Sequence, residues 1–319
     1  FKIFMVYLYL IVGIFILVIG GELLVKSAIG LNNKFKLSPL LIGTTVVSFG
    51  TSAPELIVSL QAMLNGNPGV TIGNVAGSNI ANLGLVLGCV VLLKPFQVNK
   101  RKYGLSYFIM FVSAALFFVF SSDGIINIHE GVFLLFGLVV FLVLSIRFMK
   151  IMYQNDRSLI KEDLPSNLKS KLDLKFIILY FFLGAVGLAW GSELLVSNAV
   201  ILASRFGVSE FIIGVTVVAL GTSLPELITS LVAIIKGEDS ISLGNLIGSN
   251  IFNVFAVLGC SSMVSSIKVS SNVINFDLFI MLAFVIMTGA LIFLTKRLRR
   301  IHGFLFLLSY LTYIIYSVI

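Results

Sequence analysis

The sequence predicts an all-α integral membrane protein of ten transmembrane helices, arranged as two inverted five-helix repeats. Three observations carry this. Of 319 residues, 58% are apolar and only 11% charged, a balance that no soluble core of this size can hide from water. The apolar residues gather into ten runs near the ~20 residues needed to cross a bilayer. The chain also repeats itself at a fixed offset: GTTVVSFGTSAPELIVSL at 43–60 returns as GVTVVALGTSLPELITSL at 214–231, and GNVAGSNIANLGLVLGC at 73–89 returns as GNLIGSNIFNVFAVLGC at 244–260. Glu22, Glu55, Gly73 and Cys89 all reappear 171 residues later, as Glu193, Glu226, Gly244 and Cys260.

In chain order the expected spans are 5–30, 39–64, 70–93, 103–120 and 131–149, then 174–203, 209–236, 240–264, 274–294 and 301–318. Span 1 shares Glu22 and its flanks with span 6, so it is read as structural rather than as a cleavable signal. Five spans per repeat, an odd number, force the second copy to insert upside down. The hydrophilic stretch between the halves divides the chain into a first repeat at 1–149, a linker at 150–173 and a second repeat at 174–319.

Charge sets the expected orientation. Of the 22 Lys and Arg, 19 fall in or beside the loops after the odd-numbered spans, leaving Lys2, Arg205 and Lys268 for the other side. By the positive-inside rule the protein is a multi-pass cell-membrane protein, with the 150–173 linker cytoplasmic and both termini outside. The pI near 9.5 is explained by these loops and not by nucleic-acid binding, since no basic face with stacking aromatics is present. Cys89 and Cys260 lie at equivalent apolar positions and suggest packing, not a disulfide.

The chemistry sits inside the spans. Pro54 cannot donate to the carbonyl of Gly50, nor Pro225 to that of Gly221, so each helix is expected to break or kink there and release a carbonyl as a potential cation ligand. Thr51 and Ser52 precede Glu55 by four and three residues and share its face, as Thr222 and Ser223 share that of Glu226. In the following span Asn74, Ser78 and Asn82 make one polar stripe, and Asn245, Ser249 and Asn253 its twin. Each stripe has a polar neighbour, Asn79 or Asn250. Intramembrane acids repeated in two halves mark a transporter's midplane site. Two carboxylates with hydroxyl, amide and carbonyl oxygens suit Ca²⁺ and Na⁺, whereas Zn²⁺ or Cu calls for nitrogen or sulfur. The charge of −2 is balanced by one Ca²⁺ or two Na⁺. Glu22 and Glu193 are assigned to packing, folding or the access path; His129, His302, Asp123, Glu130, Glu238 and Asp239 are assigned to span ends and loops.

The paired motifs G-T-S-x-P-E and G-N-x-x-G-S-N-x-x-N resemble the α-repeats of the sodium/calcium exchanger family, within the cation/Ca²⁺ antiporters, over nearly the whole chain outside the linker. The resemblance implies a Ca²⁺ site at Glu55 and Glu226, with Na⁺ sites around it using Thr51, Ser52, Ser78, Thr222, Ser223 and Ser249. Asn82 and Asn253 match the family's paired amide or acid positions. Proton-coupled relatives carry Asn in place of the Thr-Ser pair, and potassium-dependent ones carry Asp where this chain has Asn253. The expectation is therefore a Na⁺/Ca²⁺ antiporter, K⁺-independent, working by alternating access as spans 1 and 6 slide past the core. H⁺- or K⁺-coupled Ca²⁺ antiport and a cation channel are the alternatives. No enzymatic site and no cofactor is expected, the ions being cargo; the partners are Ca²⁺, Na⁺ and the lipid bilayer, and the protein is expected to be a monomer.

Overall fold

The computed structural model describes residues 2–155, 172–206 and 219–318. Among these, ten principal helices follow one another in the order of the expected spans. The first five are α1 (Lys2–Phe35), α2 (Pro39–Leu64), α3 (Pro68–Leu93), α4 (Lys100–Ser121) and α5 (Ile128–Asn155). The second five are α6 (Leu174–Arg205), α7 (Leu224–Ile235, after a helical turn at Ala219–Thr222), α8 (Asp239–Val264), α9 (Val273–Leu294) and α10 (Arg300–Val318). Eight of them are long and apolar enough to cross a membrane; α7, at 12 residues, and α10 are the others. Helix α5 runs past position 149, because no Gly or Pro stops it before Asn155. The rest of the expected linker, and the start of the expected span 209–236, lie outside the described residues.

Local signals set the helix ends. The Ser38 hydroxyl accepts from Leu41 N at 3.3 Å with Pro39 at the first helical position. Before α5, Asn127 Oδ1 accepts from His129 N and Glu130 N, and Glu130 Oε2 accepts from Asn127 N at 2.8 Å, a capping box that gives Glu130 a structural task. At α10 the ring of His302 accepts from Arg299 N at 3.1 Å. The turns after α2 and α7 are copies: Gly66 (φ 74°) and Gly237 (φ 83°) adopt the left-handed conformation. Asn67 N then closes on Ala62 O and Glu238 N on Ala233 O, the wide bond of a Schellman ending.

The repeats are inverted. Lys94, at the end of α3, forms an ion pair at 3.2 Å with Asp239 at the start of its counterpart α8, so the two run antiparallel. Helices α1 and α6 are counterparts too and cross the same way through glycines. A Cβ on Gly13 would stand 3.1 Å from Gly191 O, and one on Gly184 2.9 Å from Gly20 O, with backbone as the obstacle in each case. Two short straps complete the symmetry. On one face the α3–α4 and α9–α10 connections meet at an antiparallel bridge between Gln97 and Arg297. On the other, strand β1 (Ile125–Ile126), between α4 and α5, pairs with β2 (Ile267–Lys268), between α8 and α9. The 22 residues of α4 separate the straps, about 33 Å at 1.5 Å per residue.

Burial locates the centre. The most apolar stretch of α8 is 94% buried and that of α3 78%, against 22% for α5 and α6. Large side chains such as Phe136, Val186 and Leu311 face outward, as a lipid surface requires. An ion pair at 3.1 Å joins Glu22 of α1 to Lys236 beyond α7; with Glu22 56% exposed, it contributes little to stability.

Candidate cation-binding site

The site is assembled where α2 and α7 cross α8 and α3. Close approach is built into the sequence: a Cβ on Gly248 would lie 2.5 Å from Thr44 O, so only glycine lets α8 pass α2 at this separation. Along that seam Thr51 Oγ1 stands 3.1 Å from Asn245 Oδ1 and 3.2 Å from Ser249 Oγ. The symmetry-related contact is also made, Ser78 Oγ meeting Thr222 Oγ1 at 3.3 Å. The threonine of each Thr-Ser pair therefore faces the polar stripe of the other repeat.

The two carboxylates are fully buried at 0% exposure. Ser52 donates to Glu226 Oε1 at 3.0 Å. The corresponding bond from Ser223 to Glu55 is not made: among the described residues Ser223 Oγ, both oxygens of Glu55 and Glu226 Oε2 have no partner. Among the described residues the only buried cationic side chain is Lys102, at the start of α4, which donates to Ser240 of α8. No three His, Cys, Asp or Glu side chains gather among the described residues. The donors are two carboxylates surrounded by neutral oxygens, the set that hard cations prefer.

A supporting layer holds these groups, and it is duplicated. Asn74 Nδ2 donates to Ser59 Oγ at 2.9 Å and Asn245 Nδ2 to Ser230 Oγ at 3.1 Å. The backbone carbonyls of Ser59 and Ser230 in turn accept from Thr71 and Ser242. Asn74 also reaches the carbonyl of Glu55 at 3.1 Å. Sequence reasoning missed Ser59 and Ser230, although both stand four residues after a glutamate in the duplicated segment.

Asn82 and Asn253 are placed differently from the rest of their stripes. Each opens a π-helical stretch, Asn82–Val86 and Asn253–Leu258, which rotates the helix after it. Asn253 Nδ2 donates to Asn79 Oδ1 at 3.2 Å, and Asn79 Nδ2 to Asn250 O at 3.4 Å. Both polar atoms of Asn82, Asn250 Oδ1 and Asn253 Oδ1 are buried without partners among the described residues. Asn82 is thus bonded to none of the other candidate ligands, and Asn253 only to Asn79.

The two prolines differ: the expected interruption is found at Pro225 and not at Pro54. Pro54 lies inside a helix that continues from Ser48 to Leu64, so no break occurs there; proline is tolerated within a span where neighbours take up what it frees. At Pro225 the helix is interrupted, at Ser223. The Gly221 carbonyl that Pro225 leaves without a partner accepts from the Ser192 hydroxyl of α6. That hydroxyl takes up one of the carbonyl's two lone pairs. Its counterpart in α1 is Gly21, which has no hydroxyl to offer.

The chain matches the family model described as sodium/calcium exchanger protein over residues 5–147 and 176–319. It is 32% identical to the sodium/calcium exchanger MaX1 of Methanosarcina acetivorans, with 97% of each chain covered. It is 37% identical to the inner membrane protein YrbG of Escherichia coli, over 80% of this chain and 79% of that one. Among solved structures, the sodium-calcium exchanger NCX_Mj soaked with Na⁺ and Sr²⁺ superposes with a TM-score of 0.83 at 27% identity, covering 98% of both chains.

Proposed function

The chain belongs to the sodium/calcium exchanger protein family, whose members are multi-pass membrane antiporters, and from that premise we propose that it exchanges Na⁺ for Ca²⁺ by alternating access. The observation that carries this reading is the pair of fully buried carboxylates, three of whose four oxygens have no partner among the described residues. Two uncompensated charges in a membrane interior are too costly to keep for structure alone. A cation of +2, or two of +1, removes that cost, and the hydroxyls of Thr51, Ser52, Thr222, Ser223, Ser78 and Ser249 complete the shells. Asn74 and Asn245 support them, and Asn82 and Asn253 stand at the edge with amide oxygens available. In this reading Ca²⁺ binds between Glu55 and Glu226, and Na⁺ competes for the same negative charge.

Exchange follows from that competition: the binding region holds −2, so an incoming cation set must displace the other. The reading includes independence from K⁺, because the amide of Asn253 adds no charge with which to hold a further cation. It also places both termini outside and the linker in the cytoplasm, on the charge asymmetry of the loops. The test uses purified protein in proteoliposomes loaded with Na⁺, followed by uptake of radiolabelled Ca²⁺. An outward Na⁺ gradient is expected to drive uptake without K⁺ and without a pH gradient. Uptake that ignores Na⁺, or single-channel currents, would overturn the proposal.

A further inference from the structure

We propose that the strap joining the α3–α4 and α9–α10 connections is a docking surface for anionic phospholipid headgroups. Its backbone is fixed: Val98 N donates to Lys296 O at 3.1 Å, Leu298 N to Phe96 O at 2.9 Å, and Phe96, Val98 and Leu298 are buried beneath. This antiparallel contact draws together two basic runs far apart in sequence, KRK at 100–102 and KRLRR at 296–300. Lys100, Arg101, Lys296, Arg297, Arg299 and Arg300 are all exposed. Among the described residues none of these six forms an ion pair, and nearby Asp239 is already paired with Lys94.

The strap lies at the helix ends beside outward-facing apolar side chains. Leu92, Leu93, Phe293 and Leu294 are 40–83% exposed, a collar for acyl chains directly beneath a row of cations. Guanidinium groups match phosphate oxygens two at a time. The symmetry-related strap on the other face, β1 with β2, has the same construction but only Lys268, with Asp123 close in sequence. Orientation requires positive charge only somewhere in the loops of one face. It does not require that residues from both repeats be locked into one rigid surface. A lipid seated there touches α3 and α4 of the first repeat and α9 and α10 of the second. This inference is independent of which ions the protein carries.

The experiment is native mass spectrometry of the intact purified protein equilibrated with equimolar phosphatidylglycerol and phosphatidylcholine. Since each basic side chain near an anionic surface contributes about fivefold, the parent is expected to retain phosphatidylglycerol by at least that factor. R297Q/R299Q/R300Q is expected to retain the two lipids equally, while R297K/R299K/R300K keeps the preference. K34Q/K36Q, which removes two cations from the same face away from the strap, is also expected to keep it. Equal retention of both lipids by the parent, or the same loss in R297Q/R299Q/R300Q and K34Q/K36Q, would overturn the proposal. Should R297Q/R299Q/R300Q not be recovered folded, the parent in rising choline chloride decides. Screening must then erase the preference, and selectivity unmoved by salt rejects the docking surface.

Discussion

Glu55 and Glu226 are equivalent in sequence and unequal in surroundings, since Ser52 donates to Glu226 while Glu55 receives no hydrogen bond at its carboxylate. In the proposed site each supplies half the charge that compensates Ca²⁺ for its lost water. Replacing either by Gln should abolish Ca²⁺ uptake while the protein remains folded, because a neutral amide is cheaper to bury than the acid it replaces. Transport assays beside size-exclusion profiles of Glu55→Gln and Glu226→Gln check this, and wild-type uptake by either rejects the site. Asn253 offers a gain-of-dependence experiment. Asn253→Asp adds a third carboxylate, which must recruit another cation or remain protonated through desolvation and repulsion. Its exchange should acquire a K⁺ or pH dependence absent from the parent, read by comparing uptake in K⁺-free and K⁺-containing buffers. A parent that itself needs K⁺ contradicts the reading of Asn253.

At the level of elements, the spans were legible because the bilayer dictates length and composition, and the duplication made each half a check on the other. The Thr-Ser-x-Pro-Glu segments and the Asn-Ser stripes were legible for the same reason. Less visible were features that depend on what a helix meets in space. The π-helical stretches at Asn82 and Asn253 carry no composition signal. Pro54 and Pro225 share a motif, yet only the helix of Pro225 is interrupted, where Ser192 of α6 takes the vacated carbonyl. The glycines of α1 and α6 were plain in the sequence, but their purpose was not. A Cβ on Gly20 would lie 2.8 Å from Leu188 N and 3.0 Å from Gly184 O, where backbone cannot give way. Gly20→Ala should therefore destabilise by about 1–3 kcal/mol, as overpacking does, whereas Gly69→Ala, with open space around its Cβ, should stay within about 0.5 kcal/mol. Thermal unfolding of both variants in detergent checks the pair; equal midpoints would mean that α1 and α6 separate at no cost.

For the molecule as a whole, exchange of more than two Na⁺ for one Ca²⁺ moves net charge each cycle, and a membrane potential then biases it by about 2.3 kcal/mol per charge per 100 mV. Uptake into vesicles clamped with valinomycin and K⁺ should change with voltage, and insensitivity would indicate electroneutral two-for-one exchange. The uneven hydrogen bonding across the pseudo-two-fold axis reaches further. Asn253 donates to Asn79, and the mirrored bond, Asn82 to Asn250, is missing although Asn82 Nδ2 and Asn250 Oδ1 are both buried and unclaimed. Ser223 and Glu55 are idle in the same way opposite the bond from Ser52 to Glu226. A protein made of two copies back to back can trade the roles of its halves, and the idle atoms are those such a trade would employ. One conformation thus holds a cast of its opposite, with donors and acceptors already cut to receive it. Asn79→Ala should then tilt the balance toward one side of the membrane and Asn82→Ala toward the other. Labelling of engineered cysteines from each side, in a background free of Cys89 and Cys260, reads the balance directly; shifts in the same direction would show that the halves do not trade places.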